Sequence, residues 1–272
     1  MQRASQRAGS LAEVRELTRS LTAREIRSQY KGSVLGWFWS LLNPLAQIIT
    51  FTLVFSVILR AEPPVGVPSG QHNYTLWLIT GLIPWNLFAN GVVGTTGSLL
   101  AQGSLISKVY FPRSTVVVSK ILAVAFTSLI EFAVMVIVLL AAGSMVLPWL
   151  PVVAMLFGLQ LVMVLGMGLM LSVANVYFRD VQYLLNIALQ LLFYSAAIIF
   201  PISLIAAHGP RALHIFRLNP LVRLFEAYRD VLYDLRWPSF TDVGYVALWA
   251  FGILAVGMVV FRRFQGRLVE EL

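Results

Sequence analysis

The chain has 272 residues, 58% hydrophobic and only 12% charged, with a formal net charge of +8 at pH 7. Soluble domains carry about 25% charged residues, so this chain lacks the charge to cover a globular surface, and residues 1–272 read as a single transmembrane domain. The absence of cysteine excludes disulfides, thiolate nucleophiles and cysteine metal sites.

Residues 1–38 form a cytoplasmic amphipathic segment in this reading. Residues 1–31 hold seven basic side chains and no apolar signal-peptide core. Ser10 with Glu13, and Thr22 with Glu25, have capping-box spacing and predict two short helices. Leu11, Val14, Leu17 and Leu21 share one face, which suits either the headgroup boundary or a partner protein. Trp37 and Trp39 then offer interfacial anchors.

A hydrocarbon core about 30 Å thick needs ~20 helical residues. Stretches of this kind cover roughly 39–59, 74–100, 117–140, 151–173, 183–205 and 243–261. Pro84 predicts a kink or break in the second, and Gly91, Gly94 and Gly97 a smooth packing face beyond it. Arg179 beside Asp180 is expected to form a local pair or cap at the membrane surface. Residues 206–242 are too polar to span. Within them Leu221, Leu224, Phe225, Tyr228, Leu232 and Leu235 share one face, with Arg223, Glu226, Arg229 and Asp230 elsewhere. Asn219 can cap this helix and Pro220 suits its first turn. The predicted fold class is therefore an all-α integral membrane protein with six transmembrane helices, an amphipathic N-terminal interface helix and short extracytoplasmic helices before the last span. The divisions are 1–38, 39–205, 206–242, and 243–272 for span six and its cytoplasmic tail.

Orientation follows from the basic residues. Six spans with both ends on one side place 14 Lys and Arg on that side and six on the other. The positive-inside rule puts both termini in the cytoplasm. The positive net charge is thus read as topology rather than as affinity for nucleic acid. His72, His208 and His214 lack the paired spacing of a metal site.

Two features stand out as candidates for function. The segment QGSLISKVYFPR (102–113) is a basic island between apolar runs, carrying Lys108 and Arg113 around Val109, Tyr110 and Phe111. It reads either as a docking loop for a cytoplasmic protein or as an ordinary topogenic loop. Glu131 lies 11 residues past Lys120, ~16 Å along a helix. An intramembrane carboxylate is a functional candidate, set against a carboxyl that packs on Ser or Asn of a neighbouring span. No Gly-Lys dipeptide, HExxH or GxSxG occurs, so the chain has no phosphate-binding loop and no hydrolase motif. It reads as a non-enzyme with no cofactor of its own, driven by another polypeptide.

The runs REIRSQYKGSVLGWFWSLLNPL (24–45), LIPWNLFANGV (82–92), LISKVYFPR (105–113), VYFRDV (176–181) and NPLVRLFEAYRDVLY (219–233) together resemble the membrane subunit of type 2 ABC exporters. The similarity is to those that export lipid-linked polysaccharide such as O-antigen and teichoic acid. The resemblance implies a multi-pass protein of the bacterial cytoplasmic (inner) membrane, working as a homodimer with two ABC ATPase subunits. ATP and Mg would reside on those partners, and the substrate would be a lipid-linked glycan in contact with membrane lipid. It implies an ATPase-coupling role for Leu105, Ile106, Lys108, Val109, Tyr110, Phe111 and Arg113, and a gate helix bearing Leu221, Leu224, Phe225, Tyr228 and Leu232. Sugars stack on aromatic rings, which makes Trp37, Phe38, Phe51, Phe55, Trp85, Phe88, Phe193, Tyr194 and Phe200 candidate channel aromatics; packing and interfacial anchoring are their other reading. A permease for a drug or small lipid, or a non-transporting scaffold, are the alternative functions.

Overall fold

The computed structural model describes residues 11–29, 31, 36–106, 108, 111–266 and 268, and no strand occurs among them. Helix α1, Leu11–Gln29, is one continuous element rather than the two expected. Thr22 sits in mid-helix, where its hydroxyl donates to the Thr18 carbonyl at 2.7 Å, and Thr18 does the same to Val14 at 2.7 Å. Back-bonding of this kind lets a threonine stay helical instead of capping. Ser10, the other expected cap, lies outside the described residues.

A 3₁₀ turn, Gly36–Phe38, leads into α2, Trp39–Phe51, which continues as π turns over Thr52–Ile58. Helix α3, Tyr74–Ala101, is capped by Asn73, whose side chain accepts from the Thr75 amide at 2.9 Å. It runs through Pro84 without ending, so of the expected kink or break no break occurs. Packing explains this: α3 is the central helix, with Trp77, Leu82, Leu87 and Phe88 all buried. The Pro84 carbonyl also accepts from Gln160 Nε2 at 2.6 Å. Short α4, Gly103–Ile106, precedes α5, Ser114–Ala141. After a 3₁₀ turn, Leu147–Trp149, comes α6, Leu150–Tyr177. Arg179 and Asp180 follow, both exposed and making no ion pair with one another. Asp180 caps with its backbone carbonyl alone, which accepts from the Leu184 amide at 3.0 Å.

Five stretches among the described residues are long and apolar enough to cross a bilayer: Leu41–Ile58, Tyr74–Ala101, Ser114–Ala141, Leu147–Tyr177 and Phe240–Phe264. The fifth expected span is different. Helix α7, Val181–Ser195, has 15 residues, about 22 Å of rise, and falls short of a ~30 Å core. The chain then turns through Ala197 at φ 53° before α8, Ile202–Ala206. Pro201, which cannot donate within a continuing helix, stands at that junction. Helices α9, Pro210–Arg217, and α10, Pro220–Arg229, with a π extension Asp230–Asp234, lead to α11, Phe240–Phe264.

The main core gathers α3, α5, α6, α10 and the π segment after it. A smaller cluster, Leu99, Ile106, Val117, Val173 and Phe261 among others, holds the opposite ends of α3, α5, α6 and α11 together. Helices α6 and α11 touch backbone to backbone. A Cβ on Gly166 would lie 2.6 Å from the Leu254 amide nitrogen, and one on Gly257 would lie 2.3 Å from the Gly166 carbonyl oxygen.

Candidate functional site

The basic island is built on the smaller core. Ile106 is buried and Phe111 half-buried against that cluster. Leu105 is half-buried, Lys108 exposed, and Arg113 stands at the N-cap position of α5. Val109 and Tyr110 lie outside the described residues. Of the aromatic pair, Phe111 packs inward on the cluster that joins the ends of α3, α5 and α6. Helix α1 lies across the neighbouring face: Leu21 is buried, Glu25 pairs with Lys120 of α5, and Arg24 donates to the Gln102 side chain.

The aromatic candidates separate into two groups. Phe55, Phe51, Phe193 and Trp85 form a continuous row, with successive ring centroids 6.2, 5.7 and 5.4 Å apart. Tyr194 adjoins Phe193 at 5.4 Å. Phe51, Phe193, Trp85 and Tyr194 line a groove of about 390 Å³ between α2, α3 and α7, whose other lining includes Gln47, Asn90, Asn186 and Gln190. Flat apolar faces beside side-chain amides can take a ligand that presents C–H faces and hydroxyl edges. Phe88 is not part of the row, being buried in the core where it meets Trp85 at 5.8 Å. Phe38 is exposed in the 3₁₀ turn before α2, and Phe200 packs on the core from the turn after α7. The side chain of Trp37 lies outside the described residues.

Leu221, Leu224, Phe225, Tyr228 and Leu232 are all buried, as their spacing predicts, and Asn219 caps α10 by accepting from the Leu221 amide at 3.0 Å. Phe225 meets the aromatic row edge-on, 6.3 Å from Trp85. The Tyr228 hydroxyl donates to Gln160 Oε1 at 3.0 Å, joining α10 to α6.

Arg229 is the residue the helical pattern misplaced. It stands off the apolar stripe of α10 and yet is only 7% exposed. Its guanidinium lies 3.9 Å from the Trp77 ring centroid and donates to the carbonyls of Ala197 at 2.8 Å and Ile198 at 2.7 Å. The next carbonyl, Ile199, accepts from the Tyr74 hydroxyl at 2.9 Å. The buried turn after α7 offers carbonyls that no helix ladder takes; here three consecutive ones are taken by two side chains. Gly81 makes room, since a Cβ there would sit 2.7 Å from the guanidinium. Burial lowers the pKa of Arg229 to about 10 and the nearby Glu226 carboxylate opposes that shift, so the side chain stays charged at neutral pH. Around it, Arg223 bonds Asp242 at 2.8 Å, and Arg236 bonds Asp230 at 2.7 Å and Asp234 at 3.1 Å.

Glu131 is buried in α5 beside Ser128 and lines a cleft between α2, α3 and α5.

The model of the ABC-2 type transporter family matches residues 16–233. The O-antigen export system permease protein RfbA of Myxococcus xanthus is 30% identical over 253 residues, covering 88% of this chain and 91% of that protein. RfbA of Klebsiella pneumoniae is 27% identical, with 93% of each chain covered. The polysialic acid transport protein KpsM of Escherichia coli is 25% identical over 92% of this chain and 94% of its own length. A multi-pass helical membrane protein matched over most of its length by this family model, the chain belongs to the ABC-2 type transporter family.

Proposed function

We propose that the chain is the membrane subunit of an ATP-driven exporter that moves a lipid-linked polysaccharide, an O-antigen, teichoic acid or related envelope glycan, across the bacterial cytoplasmic membrane. The observation that carries this reading is the row Phe55, Phe51, Phe193 and Trp85 beside an amide-lined groove. Relatives over nearly the whole length that are named for O-antigen and polysialic acid export support the same substrate class. Stacking binds successive sugars without demanding one sugar, and that tolerance suits a long polymer in transit.

In this reading two copies of the chain form the path, both termini lie in the cytoplasm, and two ABC ATPase subunits supply ATP and Mg. The chain contains no Gly-Lys dipeptide for a phosphate loop, so the purified subunit alone neither binds nor hydrolyses ATP. The basic island and α1 take the push of the ATPase, and α10 gates the far end. The inward packing of Phe111 refines the division of labour: Ile106 and Phe111 root the island in its own subunit, while Lys108 and Tyr110 meet the partner. Deletion of the gene tests the function directly: the glycan should accumulate in the cytoplasm and return to the surface with the wild-type chain. Tyr110→Ala should loosen the ATPase and stop export, and Lys108→Ala should act more mildly as a rim charge. Surface glycan unchanged in the deletion strain, with retention of an apolar drug or small lipid instead, would transfer the assignment to that second substrate class.

A further inference from the structure

Three spans carry polar pairs at i, i+4 spacing: Asn43 and Gln47 in α2, Asn86 and Asn90 in α3, Thr127 and Glu131 in α5. That spacing puts both members of a pair on one helix face, and polar side chains within spans are costly and mark functional surfaces. In the fold the three pairs converge on one cleft of about 640 Å³, within the size range of small-molecule sites. Asn86 Nδ2 donates to Gln47 Oε1 at 3.2 Å across the α2–α3 side. At the deep end Glu131 is only 6% exposed, and its Oε2 has no hydrogen-bond partner. A buried carboxylate oxygen left unpaired is expensive, and this one lines the cleft that the amides line. Toward the α1 end, Lys120 is already neutralised by Glu25, and Trp39 offers an exposed ring.

We propose that this cleft is a second sugar-binding site, adjoining the aromatic groove, which holds a neutral pyranose unit of the glycan before it reaches that groove. The inference rests on the polysaccharide reading above. The chemistry selects the ligand. Amides and hydroxyls both donate and accept, as sugar hydroxyls do, and the Glu131 carboxyl adds an acceptor in either protonation state. A phosphate would meet the Glu131 carboxyl with no unpaired cation beside it, and a metal ion would find one carboxylate where it needs several. Gln47, Asn90 and Val93 line both the cleft and the aromatic groove, so a ring released from Glu131 has a polar edge to follow around α2.

The absence of cysteine makes the test direct. The full chain with Thr127→Cys, carrying a thiol-linked diazirine, is irradiated with its ATPase in membrane vesicles from cells that make the lipid-linked glycan. A glycan adduct roughly tenfold above that of Met155→Cys, on the exposed side of α6, is expected, and Glu131→Leu should abolish the difference while the protein still elutes as a folded species. Asn43→Cys, at the other wall, should give the same adduct. Vesicles from a strain blocked before the first sugar supply the lipid phosphate alone; an equal adduct from them would make this a lipid site and overturn the proposal. Vesicles that translocate the glycan yet give no adduct above the Met155 position refute the cleft alone. Translocation that does not depend on this chain refutes the exporter reading, and the assignment of the cleft with it.

Discussion

The apolar stretch Leu41–Ile58 fully buries almost none of its side chains, with Ile49 64% and Val57 66% accessible, whereas α10 carries Arg223, Glu226 and Arg229 and buries Leu224, Phe225 and Tyr228 completely. Hydropathy therefore ranks these two helices in the reverse order of their packing. In water an apolar face must find protein, but in a bilayer lipid tails satisfy it equally well. An apolar span can stay loosely attached. A buried polar helix has no such freedom: each charge needs a partner, and α10 finds its partners at Ala197, Ile198, Arg217 and Asp242.

If that contrast is right, Arg229→Ala should do the most damage. It removes two charge-assisted bonds worth roughly 1.5–3 kcal/mol each and a cation–π contact, so about 5 kcal/mol of stability. The melting temperature in detergent should fall by about 10 °C or more. Arg229→Lys should recover little of it, because one ammonium does not reproduce the planar fork that reaches both carbonyls. Phe225→Ala comes next, at about 4 kcal/mol for a large side chain removed from a packed core, read as a lower midpoint in a thermal scan. Asn219→Ala should cost ~1 kcal/mol as a lost helix cap, visible as faster amide exchange in the first turn of α10. Ile49→Ala, on the exposed face of α2, should change thermal stability by less than about 0.5 kcal/mol. A large loss there would show that α2 is held by protein after all.

Much of this contrast was legible before any coordinates. The stripe Leu221, Leu224, Phe225, Tyr228 and Leu232 and the Asn219 cap both stand where the helical period puts them. Arg229 was not legible, because periodicity sorts residues by face and says nothing of a cation that reaches a neighbouring break. The break itself leaves a trace: Pro201 lies inside the stretch 183–205 that length and apolarity predict as one span, and a proline there argues against a continuous helix. The amide pairs were visible one helix at a time, but only the fold brings Asn43, Asn86 and Glu131 to one cleft. For the same reason composition does not separate Phe88, inside the core, from Phe193, at its edge.

The contact between Gly166 and Gly257 has a mechanical consequence. Two helices whose main chains touch, with the Gly166 oxygen where a Cβ on Gly257 would stand, form a fixed beam. Neither can roll about its axis without driving a side chain of the next turn into the other's backbone, and an alanine at either position would force them apart. Such a beam stores no motion and transmits force at full stroke. A hinge between α6 and α11 is therefore excluded at that crossing, and Gly257→Ala, which would press a methyl onto the Gly166 carbonyl, should lower the melting temperature in detergent.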